Sequence, residues 1–443
     1  MPASPADSAI YGKLFGDAEV GALFTDSAEV RAMMLVEGAL AKAQGSLGLI
    51  PEVSAAALHR ASLELQLDPG GLGEGVAASA VPVPGLVAAF REAMHAPEHA
   101  TWLHWGATSQ DIMDTGLALR LRRALTIIEG RFDALEHALA GLAEAHADLP
   151  MVARTYGQAA VVTSFGAVVA AWGQPVLRHR ARLAAVRRDV EQVSLSGAAG
   201  TLSAMGDQGP AVRAALADAL GLADPGGSWH SARDGIAGLA AWATGLTGSL
   251  AKMGEDLLIL TQSGIEEVSL ASGGGSSTMP QKSNPVAPSA LVAIARQVVG
   301  LNSVIQTALA HRQERDGAAW LSEWLSLGQL VILSARALDL AGEIAKGLSP
   351  NPEAMARHIE ATGGMIFAEA LSFALAKTLP RAEAQAATKA LVAEARGANR
   401  PLEAAARASY PDLDLSRIFQ PKEQLGTAPA EARNFAQGIL RKN

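Results

Sequence analysis

From Leu121 to Leu142 the apolar residues of this chain fall at Leu121, Leu125, Ile128, Phe132, Leu135, Leu139 and Leu142. The spacing alternates four and three, which is a heptad seam. A strand turns its side chains at period two and cannot present that run on one face. The spacing therefore predicts a helix. Carried back to the hydroxyls Thr108 and Ser109, it covers about 35–40 residues, or roughly 50–60 Å. Thr108 or Ser109 suits its cap and Asp111 its first turn. Leu330, Leu333, Ala337, Leu340 and Ile344 repeat the same spacing. Long helices are also expected from Asp234 through Leu260 and from about Ala287 to His311, and Asp26 is the expected cap of an earlier one, with Glu29 as its partner. Ala and Leu dominate and alternating patterns are hard to find, so the fold class is all-α, built on a central long-helix bundle, and no strand is expected.

A chain of 443 residues is too long for one simple core. The punctuation divides it into an N-terminal helical domain, 1–107, a central bundle, 108–348, and a small helical domain, 349–443, with Leu348-Ser-Pro-Asn-Pro352 as the linker into the last. Residues Thr155 to Leu177 carry no charge and are long enough to cross a bilayer. Gln158, Thr163, Ser164, Gln174 and Pro175 interrupt them, so they read as the second long helix, opening at Arg154-Thr-Tyr-Gly-Gln158 and buried by more than its own subunit. The chain has no cysteine, which excludes disulfides and thiolate metal sites and fits a cytoplasmic protein. The N-terminus lacks the pattern of a signal peptide. A net charge of −8 argues against nucleic acid or an anionic membrane as a partner. No His-Glu-x-x-His pair, dinucleotide fingerprint or Gly-x-Ser-x-Gly elbow is present, so neither metal nor cofactor is expected.

The stretch Ala271-Ser-Gly-Gly-Gly-Ser-Ser-Thr-Met-Pro-Gln-Lys-Ser-Asn-Pro285 is richer than a linker needs to be. After its glycines it sets two hydroxyls, Ser276 and Ser277, an ammonium, Lys282, and an amide, Asn284, at fixed offsets, and two prolines stiffen its far half. Residues 275–285 resemble the G-S-S-x-M-P-x-K-x-N-P loop of the fumarase/aspartase superfamily, which includes the argininosuccinate and adenylosuccinate lyases.

That resemblance implies a helical three-part subunit, a homotetramer, and active sites each shared among subunits. It implies that Ser276 is the base that removes a proton α to a carboxylate, with Lys282 and Asn284 stabilising the doubly charged aci-carboxylate. Met279 lines the same loop as a substrate contact. A serine works as a base only where closure of the loop surrounds its alkoxide with donors. The run Thr108-Ser109-Gln110 matches the family's carboxylate-binding segment at a helix start. In the family's Thr-His-x-Gln segment this chain has Tyr156 where the His serves as general acid, followed by Gln158. His104 joins the expected substrate contacts. His230 reads either as a substrate ligand or as an interfacial histidine. Arg315 reads as a carboxylate clamp or as a surface ion pair with Glu314 or Asp316.

Within the superfamily the segments 37–43, 104–111, 197–202, 229–234 and 315–324 look most like the lactonising branch, whose small anionic substrates are muconates. A lyase releasing fumarate from an N-succinyl compound and a catalytically silent helical scaffold are the alternatives. The Tyr156 departure favours lactonisation, because a carboxylate leaves without protonation and an amine does not.

Overall fold

The computed structural model describes residues 4–271, 274–275, 279 and 282–441. Helices dominate it. The helix behind the heptad seam runs Ser109–Ala145, and its seam residues from Leu121 to Leu139 are at most 1% exposed. The other long helices are Asp26–Ser46, Phe165–Val190, Asp234–Leu260, Val286–Thr307 and Leu327–Gly347. Leu330, Leu333, Ala337, Leu340 and Ile344 are all buried. Val286–Thr307 and the stretch Gly317–Gly347 are long and apolar enough to cross a bilayer, but the latter is 78% buried within the chain, as a core helix is. The Asp26–Ser46 helix starts one residue earlier than expected. Thr25 is its cap, its hydroxyl accepting from the Ala28 N–H, and Asp26 and Glu29 stand in the first turn, where the helix dipole favours acids.

The chain forms two compact units. One comprises Met1–Arg131, His179–Gly248 and Ala293–Leu338; the other comprises Phe132–Arg178, Ser249–Val292 and Asp339–Asn443. In the first, the core gathers Met33, Val36, Leu40, Leu58, Leu86, Phe90 and Ile112. Asp26–Ser46 lies so close to Glu52–Glu64 that a Cβ on Gly38 would stand 2.5 Å from the Ser62 Cβ, so only glycine fits there. In the second unit, Val152 and Val162 join Ile359, Ile366, Phe367 and Leu371 in a separate core.

Strands are present where none was expected. Three short antiparallel pairs occur among the described residues. Pro150–Thr155 pairs with Gln158–Ser164, with Thr155 opposite Gln158. Tyr156 and Gly157 connect them, with φ of 50° and 73°, the two-residue turn whose twist suits a hairpin. The second long helix therefore begins at Phe165, not at Arg154. The β-branched run Val161-Val162-Thr163 and Val152 opposite it favour the pleated form, and Val152 and Val162 supply its buried face. Leu348–Pro350, expected as linker, instead pairs with Val268–Leu270. Asn351 then caps Pro352–Ala361 by accepting from the Ala354 N–H. The third pair, Gly274–Gly275 with Ser283–Asn284, closes the base of the signature loop.

Candidate active site

In the first unit the site is built on the start of the Ser109–Ala145 helix. Asp111, with no exposed surface, ties three segments together. Its Oδ2 accepts from the Thr108 N–H (3.0 Å) and the Gly197 N–H (3.0 Å), and its Oδ1 accepts from the Ser196 N–H (2.8 Å). The His230 Nε2 lies 2.8 Å from Oδ1. One turn along, the Thr115 hydroxyl accepts from the Ser194 N–H and donates to the Ser194 carbonyl. The Gly-rich segment after Ser194 is thus pinned to the helix start by backbone donors, which is why Asp111 cannot be replaced by a neutral apolar residue without orphaning them.

Gln110 is also buried. Its Nε2 donates to Asp114 Oδ2 (3.1 Å) and to the His230 carbonyl (2.9 Å). Both donors being engaged, its Oε1 is turned to Arg315 and accepts from Nε at 2.8 Å. Arg315 Nη2 donates to the Thr108 hydroxyl (3.3 Å) and the Ala198 carbonyl (3.2 Å). Among the described residues, every partner of Arg315 is neutral. The adjacent acid, Asp316, is engaged elsewhere: Arg312 Nε donates to it at 2.6 Å, and it caps Gly317–Trp324. The hydrogen bond from Arg312 and the backbone donors hold Asp316 well below the usual carboxylate range. Arg315 is therefore not the surface ion pair that its sequence neighbours allow. It is a guanidinium held by neutral acceptors.

Beneath these residues lies a buried ionic cluster. Arg233, 2% exposed, donates to Asp114 (2.7 and 3.2 Å) and to Glu323 (2.5, 2.9 and 3.2 Å). Its guanidinium also stands 4.7 Å over the Trp229 ring. Burial opposes the charge on Arg233, but Asp114 and Glu323 outweigh it and hold its pKa above the ordinary value. Burial pushes the Glu323 carboxyl up, against Arg233. Asp114 belongs to both the cluster and the Gln110 contact, so the ion pairs set the orientation of the amide that carries Arg315.

His104 sits in the turn before the helix, with φ of 64°. Its Nδ1 is 2.6 Å from Glu37 Oε1. Ser109 opens the helix and is half-buried. His230 is 1% exposed; its Nε2 meets Asp111 and its backbone carbonyl accepts from Gln110.

The remaining candidates belong to the second unit. Tyr156 stands at the hairpin tip with its side chain wholly exposed, and Gln158 follows, exposed, on the next strand. Beside them Arg154 makes a bidentate pair with Glu267 (2.8 and 2.9 Å), which also lies 2.8 Å from His358 Nδ1. Lys282 and Met279 are exposed, the Lys282 N–H donating to the Met279 carbonyl at 3.0 Å, and Asn284 lies in the closing strand. Ser276 and Ser277 lie outside the described residues. Lys282, Asn284 and Asn351 line a cavity of about 850 Å³ with Gln262, Glu266 and Glu353. Asp114, Arg233, Glu323 and Glu37 were not anticipated from the sequence. The available signal was position: Asp114, Glu323 and Glu37 are charged residues on the buried faces of helices, and Arg233 directly precedes the Asp234–Leu260 helix.

The chain matches a family model described as "Lyase" over residues 18–300. It is 36% identical to the 3-carboxy-cis,cis-muconate cycloisomerase of Pseudomonas aeruginosa over 95% of this chain and 94% of that one. It is 33% identical to the nitrosuccinate lyase of Streptomyces davaonensis over 96% and 94%. The crystal structure of the 3-carboxy-cis,cis-muconate lactonizing enzyme from Pseudomonas putida superposes with a TM-score of 0.92 at 33% identity, covering 98% of this chain and 99% of that one.

Proposed function

From the premise that this chain belongs to the lyase family, within the fumarase/aspartase superfamily, we propose that it is an intramolecular lyase that closes 3-carboxy-cis,cis-muconate to carboxymuconolactone. The observation that carries the chemistry is Arg315, fixed by Gln110, Thr108 and Ala198 with no carboxylate partner among the described residues. Full-length similarity to cycloisomerases supports the substrate.

In the forward direction one carboxylate of the substrate adds to a double bond. The C–O bond forms, and the π electrons pass to the carbon α to a second carboxylate and into it, giving an aci-carboxylate. Thr108, Ser109 and Arg315 hold a carboxylate, and Lys282 and Asn284 lower the energy of the aci form. A preorganised donor of this kind is worth about 3 kcal/mol in the transition state. The Ser276 hydroxyl then gives its proton to the α carbon. Read backwards, the same steps are a β-elimination whose leaving group is a carboxylate of pKa roughly 4, so no acid has to protonate it. Tyr156 donates only a hydrogen bond, and Gln158 and Met279 complete the contacts. Assembly of the three-part subunit (1–107, 108–348, 349–443) into a homotetramer with shared sites, and a cytoplasmic location, belong to the same reading.

The test is a substrate panel. Purified protein is mixed with 3-carboxy-cis,cis-muconate, argininosuccinate and adenylosuccinate, and ultraviolet absorbance is followed. The expected result is loss of the conjugated diene with no fumarate released. Fumarate from an N-succinyl substrate would move the protein to the amine-releasing lyases. Inertness to all three would favour a scaffold.

A further inference from the structure

Two polar side chains on the Asp26–Ser46 helix, Glu37 and Gln44, lie seven residues apart and are each 1% exposed. Both reach the turn that precedes the Ser109 helix. Gln44 Nε2 donates to the Trp105 carbonyl at 2.6 Å, and Glu37 Oε1 meets His104 Nδ1 at 2.6 Å. Positive φ at both His104 and Gly106 gives the turn a shape that an L-residue adopts only when held there. The Glu37 side chain has no exposed surface, and its Oε2 has no hydrogen-bond partner among the described residues. Its one hydrogen-bond partner among the described residues is the imidazole. A carboxylate buried on those terms is stabilised by a charged partner and penalised by a neutral one.

The ring's other nitrogen, Nε2, has no protein partner among the described residues, and the His104 side chain is 20% exposed. The turn that carries it leads into the helix start to which Arg315 is bonded. The charged groups facing the ring are Glu37, Asp111 and Arg91. Burial opposes the imidazolium and Arg91 lowers its pKa further, but the Glu37 hydrogen bond and the charges of Glu37 and Asp111 leave it above the ordinary value of 6.5. Neither Asp111 nor Arg91 is open to a ligand here: Asp111 holds the 196–197 backbone and His230, and Arg91 donates to the carbonyls of Ala100 and Leu103.

We propose that Glu37 is a positioning residue that holds His104 as a second cationic donor alongside Arg315, and so makes the site select polyanions with more carboxylates than one guanidinium engages. The proposal rests on the carboxymuconate reading for its substrate, a tricarboxylate, but its geometry is independent of the chemistry that follows binding. The sign follows from the raised imidazole pKa: the donor is charged below that pKa, and the extra affinity is lost as pH rises through it.

The experiment compares the wild-type protein with Glu37→Gln and His104→Gln. Calorimetry measures binding of tricarballylate and of glutarate between pH 7 and 9, and steady-state kinetics uses 3-carboxy-cis,cis-muconate. Tricarballylate affinity of the wild type falls with rising pH. In both variants it is about tenfold weaker at pH 7 and loses that pH slope, while glutarate changes little. With the muconate the loss appears in KM more than in kcat. Wild-type and variant curves that superpose at every pH would overturn the proposal, as would equal losses for the tricarboxylate and the dicarboxylate. A wild type that binds tricarballylate with the expected slope but turns over no muconate would refute the reaction assigned above and leave this inference standing.

Discussion

Replacing Arg233 by methionine removes the cation on which the buried cluster depends. Arg233 donates to Asp114 and Glu323 in five contacts between 2.5 and 3.2 Å, and its side chain is 1% exposed. Methionine fills much of the space, so a cavity is not the main cost. The cost comes from two carboxylates left buried without a counter-ion, about 3–5 kcal/mol when one partner of a buried pair is removed. In a chain of two compact units a single global unfolding energy is poorly defined, so the effect is best read locally. Amide hydrogen exchange in peptides covering 229–237 and 319–327 should accelerate by roughly a hundredfold to several thousandfold. Adding Glu323→Gln should restore a large part, because it removes one of the stranded charges. The defect should also lessen as pH falls, since burial already raises the Glu323 pKa and the neutral acid needs no counter-ion. An acceleration below about fivefold in Arg233→Met, roughly 1 kcal/mol, would refute the reasoning, as would a double variant no better than the single one.

Gln110→Met keeps the side-chain volume but removes the acceptor for Arg315 and the donors to Asp114 and the His230 carbonyl. KM should rise about tenfold, from about 1–3 kcal/mol of lost polar pairing, with a smaller change in kcat; an unchanged KM contradicts the positioning role. Tyr156→Phe should retain substantial lactonising turnover with weaker binding, and a fall in kcat of several orders of magnitude at constant KM would make Tyr156 an essential acid. Gly157→Val places a β-branched residue at φ of 73°, at a cost of about 1–2 kcal/mol. Exchange across 150–164 should rise about tenfold while the cluster around Arg233 is undisturbed, and unaltered protection of the hairpin would count against the turn.

The long helices were legible because their apolar residues keep one period over many turns. Ser109–Ala145 begins directly after Thr108, and Asp234–Leu260 begins at Asp234 itself. The hairpin at 150–164 was not legible, because a short apolar run looks alike as strand or buried helix. The decisive detail, two positive φ angles at Tyr156-Gly157, is visible in sequence only as one glycine. Leu348-Ser-Pro-Asn-Pro352 has the composition of a linker, but its first three residues pair with Val268–Leu270. At the site, the hydroxyl-hydroxyl-amide run of 108–110 and Arg315 stood out by residue type, and the fold brings Arg315 onto Thr108 and Gln110. The cluster beneath them could not be read this way, because Arg233 is 119 residues from Asp114 and 90 from Glu323. Local spacing carries no information about pairs that only the folded core brings together. Gln110 illustrates the difference. It was expected to touch substrate, but its amide is committed on both sides to Asp114, the His230 carbonyl and Arg315.

The central claim is that the chain makes a lactone and protonates the α carbon itself. The most direct measurement is turnover of 3-carboxy-cis,cis-muconate in D₂O with the product followed by proton NMR. The account predicts a carboxymuconolactone carrying one deuterium at the carbon α to a carboxylate, and no product from Ser276→Ala of intact fold. A wild-type protein that leaves the muconate unchanged, or a Ser276→Ala variant that lactonises at the wild-type rate, would contradict it.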